Sequence, residues 1–78
     1  MNNIEFYSKP DCFYCEKAKW HIRTFLSDYT IHEEIINDET KAYIQDMYNV
    51  EVKTVPQIII GGVYVGGCDG LIEYIDNL

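Results

Sequence analysis

Apolar positions change their period several times along the 78 residues, and each change marks an element. Ile4-Glu5-Phe6-Tyr7 is a short β-rich run, and its exit, Ser8-Lys9-Pro10-Asp11, has turn chemistry. From Cys12 onward Cys15, Ala18, Ile22, Phe25 and Leu26 recur at spacings of three and four, which predicts a helix with one buried stripe, while Lys17, Lys19 and Arg23 fall elsewhere. Tyr29 to Ile36 is β-rich and mixed in polarity, as suits an edge strand beside the first. Asn37-Asp38 then offers an N-cap for a second helix with Tyr43, Met47 and Val50 as its apolar face. In QIIIGGVYVGG two β-branched runs flank Gly61-Gly62, a pair that tolerates the positive φ of a two-residue hairpin turn. Asp69 can cap a last helix in which Leu71, Ile72, Ile75 and Leu78 form one face.

The resulting order is βαβ, α, ββα. An opening strand, helix and strand favour a right-handed parallel crossover, and the hairpin adds antiparallel strands to the same sheet. The expected architecture is α/β, a four-stranded mixed sheet flanked by three helices. No repeat, low-complexity tract or linker interrupts the chain, and its length suits one domain spanning 1–78.

Composition narrows the function. Apolar residues make up 47% of the chain and aromatics 14%, enough to fill a modest core. No stretch reaches the roughly 18 apolar residues of a membrane helix, and Met1-Asn2-Asn3 leads into a strand-like run instead of a signal peptide, so a cytoplasmic protein is expected. A net charge of -7 argues against a nucleic-acid partner, because phosphate contacts need basic surface. That charge is uneven: Lys9, Lys17, Lys19 and Arg23 gather around KPDCFYCEKAK, while acids crowd Asp28 to Glu51.

Three cysteines leave one over in any disulfide framework, so the close pair Cys12 and Cys15 points to redox chemistry or to a metal. Residues three apart at a helix start can bring their Cα atoms within the roughly 4.4 to 6.8 Å that a disulfide needs. The two sulfurs are not equivalent, since Cys15 shares the core stripe and Cys12 sits where the chain emerges from the loop. Unpaired backbone N–H groups at a helix start favour an anion, and Lys9 adds positive charge, so the Cys12 thiol is expected to ionise below the ordinary range. A more acidic thiolate is also a weaker nucleophile, which leaves attack only a few-fold faster; the larger benefit comes when Cys12 is the leaving group. Half of a zinc site is the alternative reading. Cys68, His21 and His32 are the only other soft ligands, and none forms a second close pair. His21 reads as a helix-surface residue and His32 as an edge-strand side chain.

Three blocks in order, YSKPDCFYC, TVPQI and GGCDGL, resemble the glutaredoxins, glutathione-dependent thiol–disulfide oxidoreductases of the thioredoxin fold, and the resemblance runs over essentially the whole chain. It implies that Cys12 is the nucleophile, that Cys15 resolves it, and that Pro56 is cis and presents the Val55 backbone beside the sulfur. A glutathione site is implied at Lys9, Tyr14, Thr54, Val55, Pro56, Gly67, Cys68 and Asp69. In it Lys9 and the Tyr14 hydroxyl face the glycyl end, the Cys68 and Asp69 N–H groups receive the γ-glutamyl carboxylate, and the Asp69 side chain takes the ammonium. Lys53 is a weaker candidate for the glycyl carboxylate. The implied partners are glutathione, kept reduced by a flavoenzyme using NADPH, and disulfide or glutathionylated proteins, among them a ribonucleotide reductase. No metal and a monomeric state are expected. Two rival readings are a thioredoxin-like donor reduced directly by a reductase and a zinc or [2Fe–2S] binding module.

Two positions depart from the family pattern. Phe13 replaces the proline that commonly follows the first cysteine, which restores an N–H near the sulfur. On the second helix, many relatives turn a polar side chain toward glutathione where this chain aligns Tyr43 and Ile44, so that contact is not carried over. Cys68 reads as a small, semi-buried side chain.

Overall fold

The computed structural model describes residues 2–78, and Met1 lies outside the described residues. The elements are β1 (Asn3–Ser8), α1 (Phe13–Phe25), β2 (Thr30–Ile35), α2 (Asp38–Tyr48), β3 (Gln57–Ile60), β4 (Val63–Gly66) and α3 (Cys68–Asp76). They form one four-stranded sheet in the order β2-β1-β3-β4. β1 pairs parallel with β2 across the α1 crossover, and antiparallel pairings join β1 to β3 and β3 to β4. The mixed sheet and the element order match the sequence-based expectation. No helix among the described residues is long and apolar enough to cross a membrane.

Strand alternation sorts the core into two clusters, one on each face of the sheet. Ile4 and Phe6 of β1 and Ile58 and Ile60 of β3 face Cys15, Ala18 and Ile22 of α1 and Leu71 of α3. On the other face Tyr7 and Ile59 meet Ile44 of α2 and Val52. The hairpin turns on Gly61 and Gly62 at φ 56° and 81°, a region that disfavours other side chains.

Three expected faces need correction. Phe25 is exposed, because the narrow stripe of α1 is completed by Ile22 and Leu26, and Phe25 instead stacks on His21 with centroids 6.0 Å apart. On α2 the buried residue is Ile44, while the expected Tyr43 and Met47 are exposed; Val50, beyond the helix end, packs against the same cluster as expected. The helix turns its purely aliphatic side chain inward and leaves the Tyr43 hydroxyl to donate to Glu5 Oε1 at 3.3 Å. On α3 the N-cap is Gly67, which places Asp69 at the second helical position, and Leu78 is exposed beyond the helix end.

The topology sets the site. Antiparallel register puts Tyr7 opposite Gln57 and Ile58 opposite Gly66, so the exits of β1 and β4 and the entry of β3 share one end of the sheet. The loops holding Lys9 to Cys12, Thr54 to Pro56 and Gly67 to Asp69 therefore converge there.

Candidate active site

Cys12 is the N-cap of α1 and Cys15 lies in its first turn, with Cα atoms 5.2 Å apart and the sulfurs joined in a disulfide. The cap is made by sulfur: the Cys15 N–H donates to Cys12 Sγ at 3.1 Å, where a Ser or Asp oxygen more often accepts. A helix N-terminus thus points a backbone donor at one sulfur of the pair. Exposure separates the two: Cys12 keeps 9% of its surface and Cys15 only 1%, buried on the stripe against the sheet. Phe13 and Tyr14, between them, point outward as an edge-to-face pair at 5.3 Å.

Two open clefts flank Cys12. One is lined by Lys9, Asp11, Cys12, Phe13, Tyr14, Lys53, Thr54 and Val55. The other, about 510 Å³, is lined by Tyr14, Lys17, Thr54, Val55, Pro56, Gly67, Cys68 and Asp69. All eight residues expected to form a glutathione site therefore lie along one continuous groove past Cys12, and Tyr14, Thr54 and Val55 are common to both halves.

The groove floor is held by buried polar groups. Gln57 Nε2 donates to the Thr54 carbonyl at 2.7 Å, and the Tyr64 hydroxyl donates to the other end of the same amide. Gln45 Oε1 accepts from the Val52 N–H at 3.0 Å and ties the loop to α2. The Val55–Pro56 peptide is cis. At the far end, Gly67 gives α3 no side-chain cap. The first N–H groups of α3 therefore keep no side-chain acceptor at the cleft wall.

Lys41 was missing from the sequence reading. With Lys9 and Lys53 it lines a third recess, beside Ile36, Val52, Thr54 and Val55. Its signal was weak but present, since it is the only Lys or Arg between Asp28 and Glu51. Lys53 also meets Glu51 at 3.5 Å, but both side chains are about three-quarters exposed, and such a pair holds little.

Cys68 is buried against the same core as the active pair and is free. Burial pushes its thiol above the ordinary range; Lys17 opposes that shift and Asp69 reinforces it. His21 is half-buried on α1 and His32 exposed on β2. Among the described residues no group of three or more His, Cys, Asp or Glu side chains is arranged to hold a metal ion.

A parallel crossover, a hairpin and a Cys-x-x-Cys opening the first helix define a thioredoxin-like redox protein. The glutaredoxin family model matches residues 4–65. Glutaredoxin-1 of Rhizophagus irregularis is 38% identical over 97% of this chain and 76% of its own length, and glutaredoxin 3 of Escherichia coli K12 is 37% identical over 91% and 83%. Among solved structures, glutaredoxin 1 from Francisella tularensis, complexed with cacodylate, superposes with a TM-score of 0.75 at 27% identity, covering 96% of this chain and 93% of that one. A buckwheat glutaredoxin–glutathione complex reaches 0.67 at 25% identity, covering 95% and 68%. The chain belongs to the glutaredoxin family. It is a thiol–disulfide oxidoreductase whose dithiol motif is Cys12 and Cys15.

Proposed function

We propose that the protein, acting as a single domain over 1–78, uses glutathione to reduce glutathionylated thiols and protein disulfides, with Cys12 as nucleophile and Cys15 as resolving thiol. The observation that carries this reading is the charge layout of the groove. Lysines 9, 41 and 53 stand at one end with Asp11 beside them, Asp69, Lys17 and the uncapped start of α3 stand at the other, and Cys12 lies between, so both ends offer cationic groups or free N–H donors and Asp69 offers a carboxylate. Glutathione has two carboxylates and one ammonium, so its recognition needs both signs. Lys9, Lys41 and Lys53, with the Tyr14 hydroxyl, take the glycyl carboxylate. The Cys68 and Asp69 N–H groups take the γ-glutamyl carboxylate, as helix starts take anions, and the Asp69 side chain takes the ammonium. The cysteinyl backbone runs along Thr54, Val55 and Pro56 beneath Gly67, as an added strand-like segment. The cleft on the Asp69 side alone, about 510 Å³, is within the roughly 300 to 1,000 Å³ range of small-molecule sites.

The chemistry balances in two exchanges. The Cys12 thiolate attacks the glutathione sulfur of a mixed disulfide, the old S–S bond breaks, and the substrate thiolate leaves and takes a proton. A glutathione thiolate then attacks the Cys12 adduct, which releases Cys12 as a thiolate and forms glutathione disulfide. With a protein disulfide, Cys15 attacks the Cys12 adduct instead, which leaves the Cys12–Cys15 disulfide for two glutathiones to reduce. The helix start helps most when Cys12 leaves, because a stabilised thiolate departs faster. The cytoplasm, where glutathione is reducing, is the compartment this cycle requires.

The test is glutathione-dependent reduction of a small mixed disulfide, coupled through glutathione reductase to NADPH oxidation. Cys12→Ser is expected to abolish activity and Cys15→Ser to keep most of it. Lys41→Ala is expected to raise the KM for glutathione several-fold with kcat little changed, as loss of one partly exposed charge contact would do. A wild-type protein active only with a dedicated reductase, and indifferent to glutathione, would overturn the proposal.

A further inference from the structure

The outer face of α1 carries more exposed aromatic surface than the groove uses. Phe13, Tyr14, Trp20 and Phe25 are 72%, 58%, 55% and 54% exposed. Of the other exposed large apolar residues among those described, Ile35, Val63 and Leu78 stand singly, and Tyr43 and Met47 form one pair four residues apart on α2. Apolar side chains exposed singly are ordinary, whereas a contiguous patch marks a contact surface. On α1 they are contiguous in two groups. Phe13 packs edge-on to Tyr14, and Trp20 packs edge-on to both His21 at 5.0 Å and Phe25 at 6.3 Å. Phe13, Lys17, Trp20 and Thr24 follow one another at spacings of four, three and four, which is a single stripe along the helix. Trp20, His21 and Phe25 line none of the clefts around Cys12.

Charge distinguishes the same face. On a chain of net charge -7, α1 has three basic side chains against one acid and is the only helix or strand with a basic excess. Lys19 is spent internally on Glu16 and Glu33 at 2.9 and 3.1 Å, but Lys17 and Arg23 have no ion-pair partner among the described residues. Two aromatic groups on the helix that starts at the reactive cysteine, with two cations outside any ion pair among the described residues, are complementary to an acidic surface carrying apolar side chains.

We propose that the outer face of α1, from Phe13 through Trp20 to Phe25, docks the protein substrate, and that its occupant is an acidic, apolar-containing segment adjoining the substrate's disulfide. The proposal rests on the thiol–disulfide activity of the family and not on the glutathione reading. Aromatic side chains supply most of the contact energy in such surfaces, and the charges steer encounter. The remote end lets the enzyme tell a protein from a small disulfide, because a small molecule at Cys12 does not reach Trp20, about 12 Å up the helix. In the docked complex the Cys12 thiolate attacks one sulfur of the substrate disulfide, whose partner leaves as a thiolate and is protonated. Cys15 then loses its proton and attacks Cys12. The second substrate thiol is released, the substrate gains two electrons, and the dithiol is oxidised to the Cys12–Cys15 disulfide.

Single-turnover oxidation of the reduced protein, quenched by alkylation and run without glutathione, tests this. Three oxidants are compared: hydroxyethyl disulfide, a synthetic peptide with a central disulfide and flanks of alternating Glu and Leu, and the same peptide with Lys for Glu. Flanks of about eight extended residues cover the roughly 20 Å of α1. The Glu peptide is expected to react about tenfold faster than the Lys peptide at low salt, and the advantage should shrink at high salt. Trp20→Ala/Phe25→Ala is expected to slow the Glu peptide about fivefold while hydroxyethyl disulfide stays within about twofold. Arg23→Glu is expected to narrow the gap between the peptides. A wild-type protein that oxidises equally fast with both peptides overturns the proposal. So does a double variant that reacts with the Glu peptide as wild type does. Should the double variant slow all three oxidants alike, Arg23→Glu decides: an unchanged gap between the peptides overturns the proposal. Failure of glutathione to recycle the enzyme would leave these results standing and sink only the glutathione reading.

Discussion

Three cysteines in one small protein meet three different environments. Cys12 caps a helix at the edge of an open groove, Cys15 is buried one turn later, and Cys68 is buried at the start of α3 without a sulfur partner. Reactivity follows thiolate fraction and access together. Cys68 is nearly as exposed as Cys12, at 6% against 9%, so thiolate fraction separates them: burial raises the Cys68 thiol, whereas Cys12 caps a helix start that favours its thiolate. In the reduced protein at neutral pH, limiting iodoacetamide should label Cys12 first and Cys68 at least about tenfold more slowly. The Cys68 rate should still be climbing at a pH where that of Cys12 has levelled off. Peptide mapping after short exposure checks both statements, and early labelling of Cys68 would contradict them.

At the scale of elements, the site depends on how closely α3 approaches β4. Gly70 has no room for a side chain, because a Cβ there would overlap the Val65 carbonyl. That contact is with backbone, so Gly70→Ala has to move the start of α3, which carries Gly67, Cys68 and Asp69. The expected cost is about 1–3 kcal/mol in urea unfolding, as for other overpacked positions, with a raised KM for glutathione. An unchanged midpoint would mean that α3 is not locked where it lies.

What the sequence could and could not announce follows from the same packing. The strands were legible as short β-rich and β-branched runs, Ile4 to Tyr7 and Ile58 to Ile60, and the hairpin because Gly61-Gly62 admits positive φ at both positions. The first helix was legible through Cys15, Ala18 and Ile22, but Phe25 sits at the rim of a stripe that Leu26 already fills. The α2 face was misread because two apolar rows interleave there, Tyr43 with Met47 and Ile44 with Tyr48. The Tyr43 row stays outside, where its hydroxyl finds Glu5 of β1, a partner 38 residues away that no local pattern announces. Lys41 reaches the recess beside Lys9 and Lys53 through that same helix placement, and the sequence hinted at it only by its isolation among acids. Cys12 and Cys15 were legible from their spacing at a helix start, whereas the loop residues were legible only through the resemblance to the glutaredoxins.

Across the whole molecule an acidic chain carries one basic helix, and among the described residues one ion pair links that helix to the sheet. Lys19 of α1 meets Glu33 of β2, which also accepts from Ser8 of β1 at 2.9 Å. Burial alone would raise the Glu33 carboxyl, but the hydrogen bonds from Lys19 and Ser8 and the charges of Lys19 and Arg23 outweigh it and hold it below its ordinary value. Lys19 is raised in turn, mainly by its hydrogen bonds to Glu16 and Glu33. A depressed carboxyl contributes stability above its unfolded value of 4.5, and that contribution is lost as pH falls through the lower folded value. Lys19 contributes below 10.5 and loses its share as pH rises through its raised folded value. Glu33→Gln should therefore be less stable than wild type at neutral pH and should lose less on acidification below 4.5. Urea midpoints measured at neutral pH and in that acid range check the difference in slope. Parallel curves for the two proteins would mean that the pair contributes nothing.

Whether Cys12 carries glutathione during turnover is tested most directly by trapping that adduct. Cys15→Ser protein is incubated with glutathione disulfide, and its intact mass and peptide map are read by mass spectrometry. One glutathione per chain, on Cys12, with Cys68 unmodified, is the result this account predicts. Glutathione on Cys68, or a Cys12 that takes none while remaining reactive to alkylation, would contradict it.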